Sequence, residues 1–450
     1  MRLFSAFKAG NRELIDVLLA HGARFDDRGP NGESVLEGAC LSGNWHLMHL
    51  AIEECPSPYD SRALCAAVCL TSQPNHLVHI KRLLGQRKAT KQDARESRFE
   101  ATAVGYAAFM GKSQILDLLL ALGDLGQGMI PLSGYEGYRD LVENYKYRIR
   151  QRYEEEKQWY TRDGIPCSPL IPALLADNWT AVKKLLEAGY RMDPISFLTA
   201  IRLSGAKQIA HFIAHGANVN AHARHDLDTP LQLAVRFEHV DTTKLLLSHG
   251  ADVNAPPARE VPMDGRYVDE PNSLMPRTAL QMAVEHGHLE LIDILLDADA
   301  DVNGACAQDA GATALQIAAA RGHLGIAKRL LELGAKINVA RAGVRGRTAL
   351  EAAAEHGRLD MVSFLLENGV LGRGDGAWQR VRAVGFARRN GHLAVSGAVE
   401  EWDGGLERGY EAWVKDWPDL LEDELDCVDC SDMEVSEDED EDEMYSSDED

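Results

Sequence analysis

The chain has 450 residues, 45% of them hydrophobic and 26% charged, with a formal net charge of −23 at pH 7. This is the balance of a folded, water-soluble chain, and no window reaches the roughly 18 uninterrupted apolar residues that a membrane helix needs. Eighteen acidic residues and no Lys or Arg lie between Asp419 and Asp450, and the rest of the chain carries only −5, which argues against nucleic acid as a partner.

The N-terminus has no apolar stretch ending in a small-residue cleavage site, so the expected compartment is the cytosol or nucleus. Eight scattered cysteines suit that setting and should remain thiols. Cys427 and Cys430 form a lone C-x-x-C; with no second pair at a suitable distance, no metal site is expected there.

Taken in chain order, residues 3–25 read as a helix pair, with Gly10-Asn11 at the break and Leu18-Leu19 before Gly22. A second pair runs from Ser34 through Gly43, and a degenerate third from Tyr59 to Leu84. A fourth spans Ala101 to Gly123 around Gly111. Residues 125–165 break the pattern. They carry Leu141, Tyr145, Ile149 and Tyr153 at i, i+4 spacing, the stripe of an amphipathic helix that either packs on its neighbours or docks a partner. Two further pairs occupy 168–189 and 196–216.

Four segments, ending at Asn254, Asn303, Asn338 and Gly369, then align closely, and an inter-helix Gly recurs at Gly287, Gly322, Gly357 and, in the pair that follows them, Gly391, in steps of 35, 35 and 34 residues. Thr229, Thr278, Thr313 and Thr348 stand where a helix starts, as caps for free backbone N–H groups, and Pro230 suits the first helical position. Leu-Leu pairs such as Leu246-Leu247 and Leu330-Leu331 mark the second helix, which Gly250 and Gly334 end in a left-handed conformation. One such unit cannot bury its own apolar face and must stack on neighbours. An insertion of about 15 residues between Asn254 and Thr278 reads as a long surface finger, the kind of insertion that often lies on a binding face. A last pair begins near Trp378.

The recurring T-P-L-x-x-A and G-H-x-x-x-x-x-x-L-L-x-x-G-A-D-V-N pattern resembles the ankyrin family. The resemblance implies an all-α ankyrin-repeat solenoid of about eleven stacked helix-turn-helix units with short hairpin fingers, covering most of residues 1–400. The sequence departs from the family at Gln232, Gln281, Gln316 and Glu351, where the family carries His, and this leaves the hydrogen bonding of those turns open. The expected organisation is an N-terminal repeat block (1–124), a helical insertion (125–165), a C-terminal repeat block (166–400), a Trp-containing segment (401–420) and a disordered acidic tail (421–450). Trp402, Trp413 and Trp417 are expected to fold back over the last repeat, or else to form a linear motif for another protein.

No nucleotide-binding, zinc-protease or serine-hydrolase motif is present, and the His-x-x-His pairs His222/His225 and His76/His79 supply only two ligands each. His239, His288, His323 and His392 follow the break and read as structural. The reading is therefore a non-enzyme with no cofactor and no metal, monomeric, without membrane or nucleic-acid partners.

The resemblance implies that a protein partner binds the concave groove and fingers, with this chain as scaffold or adaptor. The positions just before the break would face it: Arg236, Phe237, Glu285, His286, Arg321, Glu355, His356 and Arg388. For each, the plain alternative is a solvated helix face. The competing reading is a chaperone-like binder of basic proteins acting through the acidic tail. A third has the tail lying across Arg373, Arg380, Arg382, Arg388 and Arg389. Ser431, Ser436, Ser446 and Ser447 each have an acidic residue at +3, the context preferred by casein kinase 2-type kinases, and are candidate phosphorylation sites.

Overall fold

Short helices separated by polar or glycine breaks cannot be stable alone, so their arrangement follows from what each can bury against its neighbours. The computed structural model describes residues 3–29, 32–55, 60–70, 76–85, 94–122, 168–221, 228–257, 277–304, 311–342, 346–370 and 377–402. The 125–165 segment, most of the long finger (258–276), Cys167, Cys306, His222, His225, Trp413, Trp417 and the acidic tail with its four serines lie outside the described residues, as do Cys427 and Cys430. The described residues hold 22 helices and one isolated antiparallel bridge, between Arg28 and Ser34.

The chain divides into two compact units, residues 1–223 and 224–450. The first contains α1 (Leu3–Lys8), α2 (Arg12–Ala20), α3 (Val35–Leu41), α4 (Trp45–Glu54), α5 (Ser61–Leu70) and α6 (His76–Gly85). It continues with α7 (Ala94–Phe109), α8 (Ser113–Leu120), α9 (Leu170–Leu175), α10 (Trp179–Glu187), α11 (Pro194–Leu203) and α12 (Ala206–Ala214). The odd-numbered helices pack in sequence, α1 on α3, then α5, α7, α9 and α11, and each is backed by the helix that follows it. Helix α7 begins at Ala94, a full two turns before the expected Ala101.

The second unit contains α13 (Pro230–Arg236), α14 (Val240–Ser248), α15 (Ala279–His286), α16 (Leu289–Asp297) and α17 (Ala314–Arg321). It ends with α18 (Leu324–Glu332), α19 (Ala349–Glu355), α20 (Leu359–Glu367), α21 (Ala377–Arg389) and α22 (Leu393–Glu401). Helices α13, α15, α17, α19 and α21 stack in order as the inner layer. All are largely buried, and α17 and α19 are Ala-rich: Ala318, Ala319, Ala353 and Ala354 are all 0% exposed, so small side chains let neighbouring backbones approach.

The cap prediction holds at atomic detail. Thr229, Thr278, Thr313 and Thr348 each accept from the backbone N–H three residues on, and Pro230 opens α13. The reciprocal half of each capping box is made by Gln232, Gln281, Gln316 or Glu351, whose side chain accepts from the Thr N–H. Gln316 is buried, and its Nε2 also donates to the carbonyls of Val339 (3.1 Å) and Ala340 (3.3 Å), tying the helix start to the finger after α18. Gln232 does the same with Ala255 and Pro256, and Gln281 with Gly304. The departures from the family's His therefore fill the turn's hydrogen-bonding needs.

The fingers are cross-linked by asparagine. Asn254 donates to Asp299 O (3.1 Å) and accepts from Asp301 N–H (2.7 Å), and Asn303 spans Gly334 O and Lys336 N–H in the next repeat in the same way. Gly357 shows what the break position demands: φ is +68°, and a Cβ there would lie 2.7 Å from His392 Nδ1 of the following repeat. Three non-glycine residues among those described depart from this chemistry: Asp177 and Glu238 take the break conformation at φ +54° and +57°, and Asp299 the helix-ending one at φ +62°.

Candidate functional site

The residues that end the inner helices of the second unit lie side by side because the helices stack in register, so their last turns make one continuous edge. Phe237 ends α13 and is 37% exposed, with its ring centroid 6.1 Å from that of His239. His286 ends α15 and places Nδ1 3.6 Å from Glu238 Oε1 of the preceding repeat. Glu285 bridges two cations, Arg277 Nε at 3.5 Å and Arg321 Nη2, one repeat on, at 2.8 Å. Burial works to raise the Glu285 pKa, but the hydrogen bonds and charges of Arg321 and Arg277 outweigh it and hold the carboxyl below its ordinary value. Glu285 and Arg321 are thus paired across α15 and α17, and His286 lies against Glu238, the residue next to Phe237 in sequence.

The other four candidates do not join these contacts. Arg236 turns back onto Asp228 (2.6 Å), and Glu355 onto Arg347 (2.8 Å). His356 contacts its own helix at Ala352 O (3.0 Å), and Arg388 pairs with Glu400 of α22 (2.6 Å). One rule covers the side chains flanking three of the inner helices, α13, α15 and α19: the residue before the capping Thr pairs with the residue eight positions later. It is Asp228–Arg236 in one repeat and, with the charges reversed, Arg277–Glu285 and Arg347–Glu355 in others. A pair spaced at eight is not a helix neighbour in sequence, so no periodicity argument finds it.

Two buried ion pairs also escaped the sequence. Glu351 and Arg382 meet at 3.2 Å with side chains 2% and 4% exposed. Glu37 and Arg62 meet at 2.8 Å with side chains 2% and 9% exposed. Burial pushes the Glu37 pKa up to about 7 against the opposing pull of Arg62, and burial likewise raises that of Glu351 against Arg382. The signal was readable. Glu351 replaces Gln at the capping-box position, and Arg382, nine residues before Gly391, stands where Thr278 stands before Gly287. Glutamate cannot donate to a finger carbonyl, so the next repeat supplies a guanidinium instead.

These geometries correct one expectation. Arg380 and Arg382 were candidates to meet the acidic tail, but they are 1% and 3% exposed. Arg382 is taken by Glu351, and Arg380 donates to Val399 O (2.8 Å) and Trp402 O (3.0 Å) under the Trp402 ring. Arg373 lies outside the described residues.

Among the described residues, no group of three or more His, Cys, Asp or Glu is placed to hold a metal ion, and no helix is long and apolar enough to cross a membrane. Burial raises the pKa of the Cys40 and Cys55 thiols, the latter to about 11, which makes both poor nucleophiles.

Comparison with family models matches residues 226–256 to an ankyrin repeat and residues 280–374 to three further copies. No curated protein matched the chain.

Proposed function

This chain is an ankyrin-repeat protein, and on that premise we propose that it is a non-catalytic scaffold or adaptor whose partner seats on the last turns of α13, α15 and α17. Ankyrin repeats are in general protein–protein interaction modules. The observation that carries the reading to this edge is Phe237, an aromatic ring held 37% exposed beside a mixed-charge cluster. Among the described residues of the second unit, the inner helices otherwise bury their large apolar side chains; in the first unit Met110, just before the break Gly111, is exposed to the same degree. A half-buried aromatic next to Arg, Glu and His has the composition of an interface anchor with a polar rim.

The charged groups of this edge already satisfy one another in part, so it attracts neither a strongly acidic nor a strongly basic partner. Affinity would come from covering Phe237, and specificity from re-pairing Glu285, His286 and Arg321 with partner groups. The competing reading, capture of basic proteins by the tail, rests on the 18 acidic residues between Asp419 and Asp450.

The test uses full-length chain in three forms: wild type, Phe237→Ala/Arg321→Glu, and a tail variant with residues 437–443 changed to Asn and Gln. Proteins retained from native lysate are quantified at low and high salt. Loss with Phe237→Ala/Arg321→Glu and persistence in salt supports the repeat edge. Loss with the neutralised tail and release by salt, which screens exposed charges beyond about 8 Å at physiological strength, overturns it.

A further inference from the structure

The breaks of the second unit stack into a seam. A Cβ at Gly287 would lie 3.0 Å from His323 Cε1, and one at Gly322 2.9 Å from Arg358 Cδ, as Gly357 stands to His392. Arg358 Nε also donates to Ala320 O (3.3 Å) across the same boundary. His288, His323, Arg358 and His392 stand at the cap positions of α16, α18, α20 and α22, and the residue that opens each helix is Leu289, Leu324, Leu359 or Leu393.

In a helix each Cα–Cβ bond tilts toward the N-terminus, so a side chain at the first position projects off the helix end instead of into the layer behind it. These four leucines are accordingly 39–70% exposed, whereas Leu295, Leu330 and Leu365 further along the same helices are 0% exposed. The seam aligns them in a row along the edge. In the first unit the opening position holds residues as unlike as Arg12, Trp45, Ser113 and Ala206, and no such row forms.

We propose that Leu289, Leu324, Leu359 and Leu393 are the rungs of a docking ladder for an amphipathic helix of a partner protein, one with an apolar residue in each heptad and carboxylates beside it. Spacing selects a helix. Packed helices lie about 8–10 Å apart, and seven residues of α-helix rise about 10.5 Å and return to nearly the same face. An extended strand returns to one face every two residues, about 6.6 Å, and falls out of step with the rungs. A polyproline helix rises about 9 Å per turn, but such ligands seat in aromatic-lined grooves, and the rungs are aliphatic. Charge selects the flanks. Along α17–α22 the breaks carry Arg321, Arg358, Arg388 and Arg389 against Glu355 and Asp360. Their ion-pair partners add equal numbers of each sign, Arg277 and Arg347 with Glu285 and Glu400, so the edge keeps a positive character in a chain of net charge −23. Glu290, beside Leu289, is neutralised by Lys244 (2.9 Å). Access is open at two rungs: Gly325, where a Cβ would meet nothing within 4 Å, follows Leu324, and the exposed Ala394 follows Leu393.

Fluorescence anisotropy on the full-length chain tests this with a labelled synthetic peptide of about 24 residues, long enough as a helix to meet all four rungs. The probe carries Leu at every seventh position, Glu beside each Leu, and Ala and Gln elsewhere. The expected result is saturable binding that weakens by about tenfold or more with Leu324→Ser/Leu359→Ser. Leu289→Ser/Leu393→Ser, at the two most exposed rungs, should do the same, as should Lys in place of Glu in the peptide. Val78→Ser, at an exposed apolar residue of the first unit, and Phe237→Ala should change nothing, the latter separating the ladder from the edge around Phe237. No saturable binding, equal binding by both leucine variants, or equal binding of the Lys peptide or of one with Leu at every fifth position would overturn the inference. So would loss with Phe237→Ala alone, or a wild-type dimer in sedimentation that Leu324→Ser/Leu359→Ser abolishes, which would assign the ladder to a second copy.

Discussion

Replacing Arg382 by Met removes the guanidinium that pairs with Glu351 across the repeat boundary and leaves a carboxylate 2% exposed. Breaking a buried pair from one side typically costs about 3–5 kcal/mol, because the remaining charge keeps its desolvation penalty without its compensation. Glu351→Gln/Arg382→Met should recover most of this, leaving a deficit of about 1 kcal/mol or less. The Gln oxygen still accepts from Thr348 N–H, as in the three repeats that carry Gln natively. The double-mutant cycle therefore predicts a coupling of about 2–4 kcal/mol. Proton linkage gives the sign of a second readout. Burial raises the Glu351 pKa, and removing Arg382 raises it further, so the folded state takes up a proton before the unfolded state as pH falls. The Arg382→Met deficit should thus shrink between pH 7.5 and 5. Urea unfolding gives the total, and hydrogen exchange in α21 and α22 shows whether the loss is confined to the last repeat. A deficit below about 1 kcal/mol that is flat with pH would refute the reasoning, because it would mean that water or a rearranged donor replaces the guanidinium at no cost.

The same accounting yields further outcomes. Glu238→Gly and Asp299→Gly should each stabilise the chain by about 1 kcal/mol in urea, since both residues hold a left-handed backbone that glycine adopts freely. Gly357→Ala should cost about 1–3 kcal/mol, and His392→Ala in the same chain should return part of it, because the new Cβ meets that ring. Gln316→Ala should cost about 2–3 kcal/mol by stripping the Thr313 N–H and two finger carbonyls of their partner. Glu37, with a folded pKa near 7, stabilises most below its unfolded value and loses that contribution as pH rises through 7. Stability monitored at α3–α5 should therefore fall by about 1–3 kcal/mol between pH 5 and 8, and Glu37→Gln should flatten the slope.

The repeat itself was legible because its chemistry is local. A cap Thr, a break Gly and a Leu-Leu pair each act within one or two helical turns, so their spacing exposes the unit length and the helix boundaries. Even the degenerate third pair fell where α5 and α6 stand. Of the proposed partner edge, the positions were legible and the pairings were not. Arg321 reaches Glu285 across 36 residues, and Arg388 turns away to Glu400 on its own hairpin. The sequence marks both only as an Arg before a break.

What the sequence by itself determined is the type and order of the helical units among the described residues, because helix starts and stops are set by residues within hydrogen-bonding reach along the chain. What only the tertiary structure decided is the fate of each polar side chain between units. Arg380 and Arg382 read as surface charge and prove to be buried fasteners, because the atoms that satisfy them belong to Val399, Trp402 and Glu351. Whether a charge faces water or a neighbour depends on what is stacked against it, and stacking brings together residues that spacing along one helix never relates.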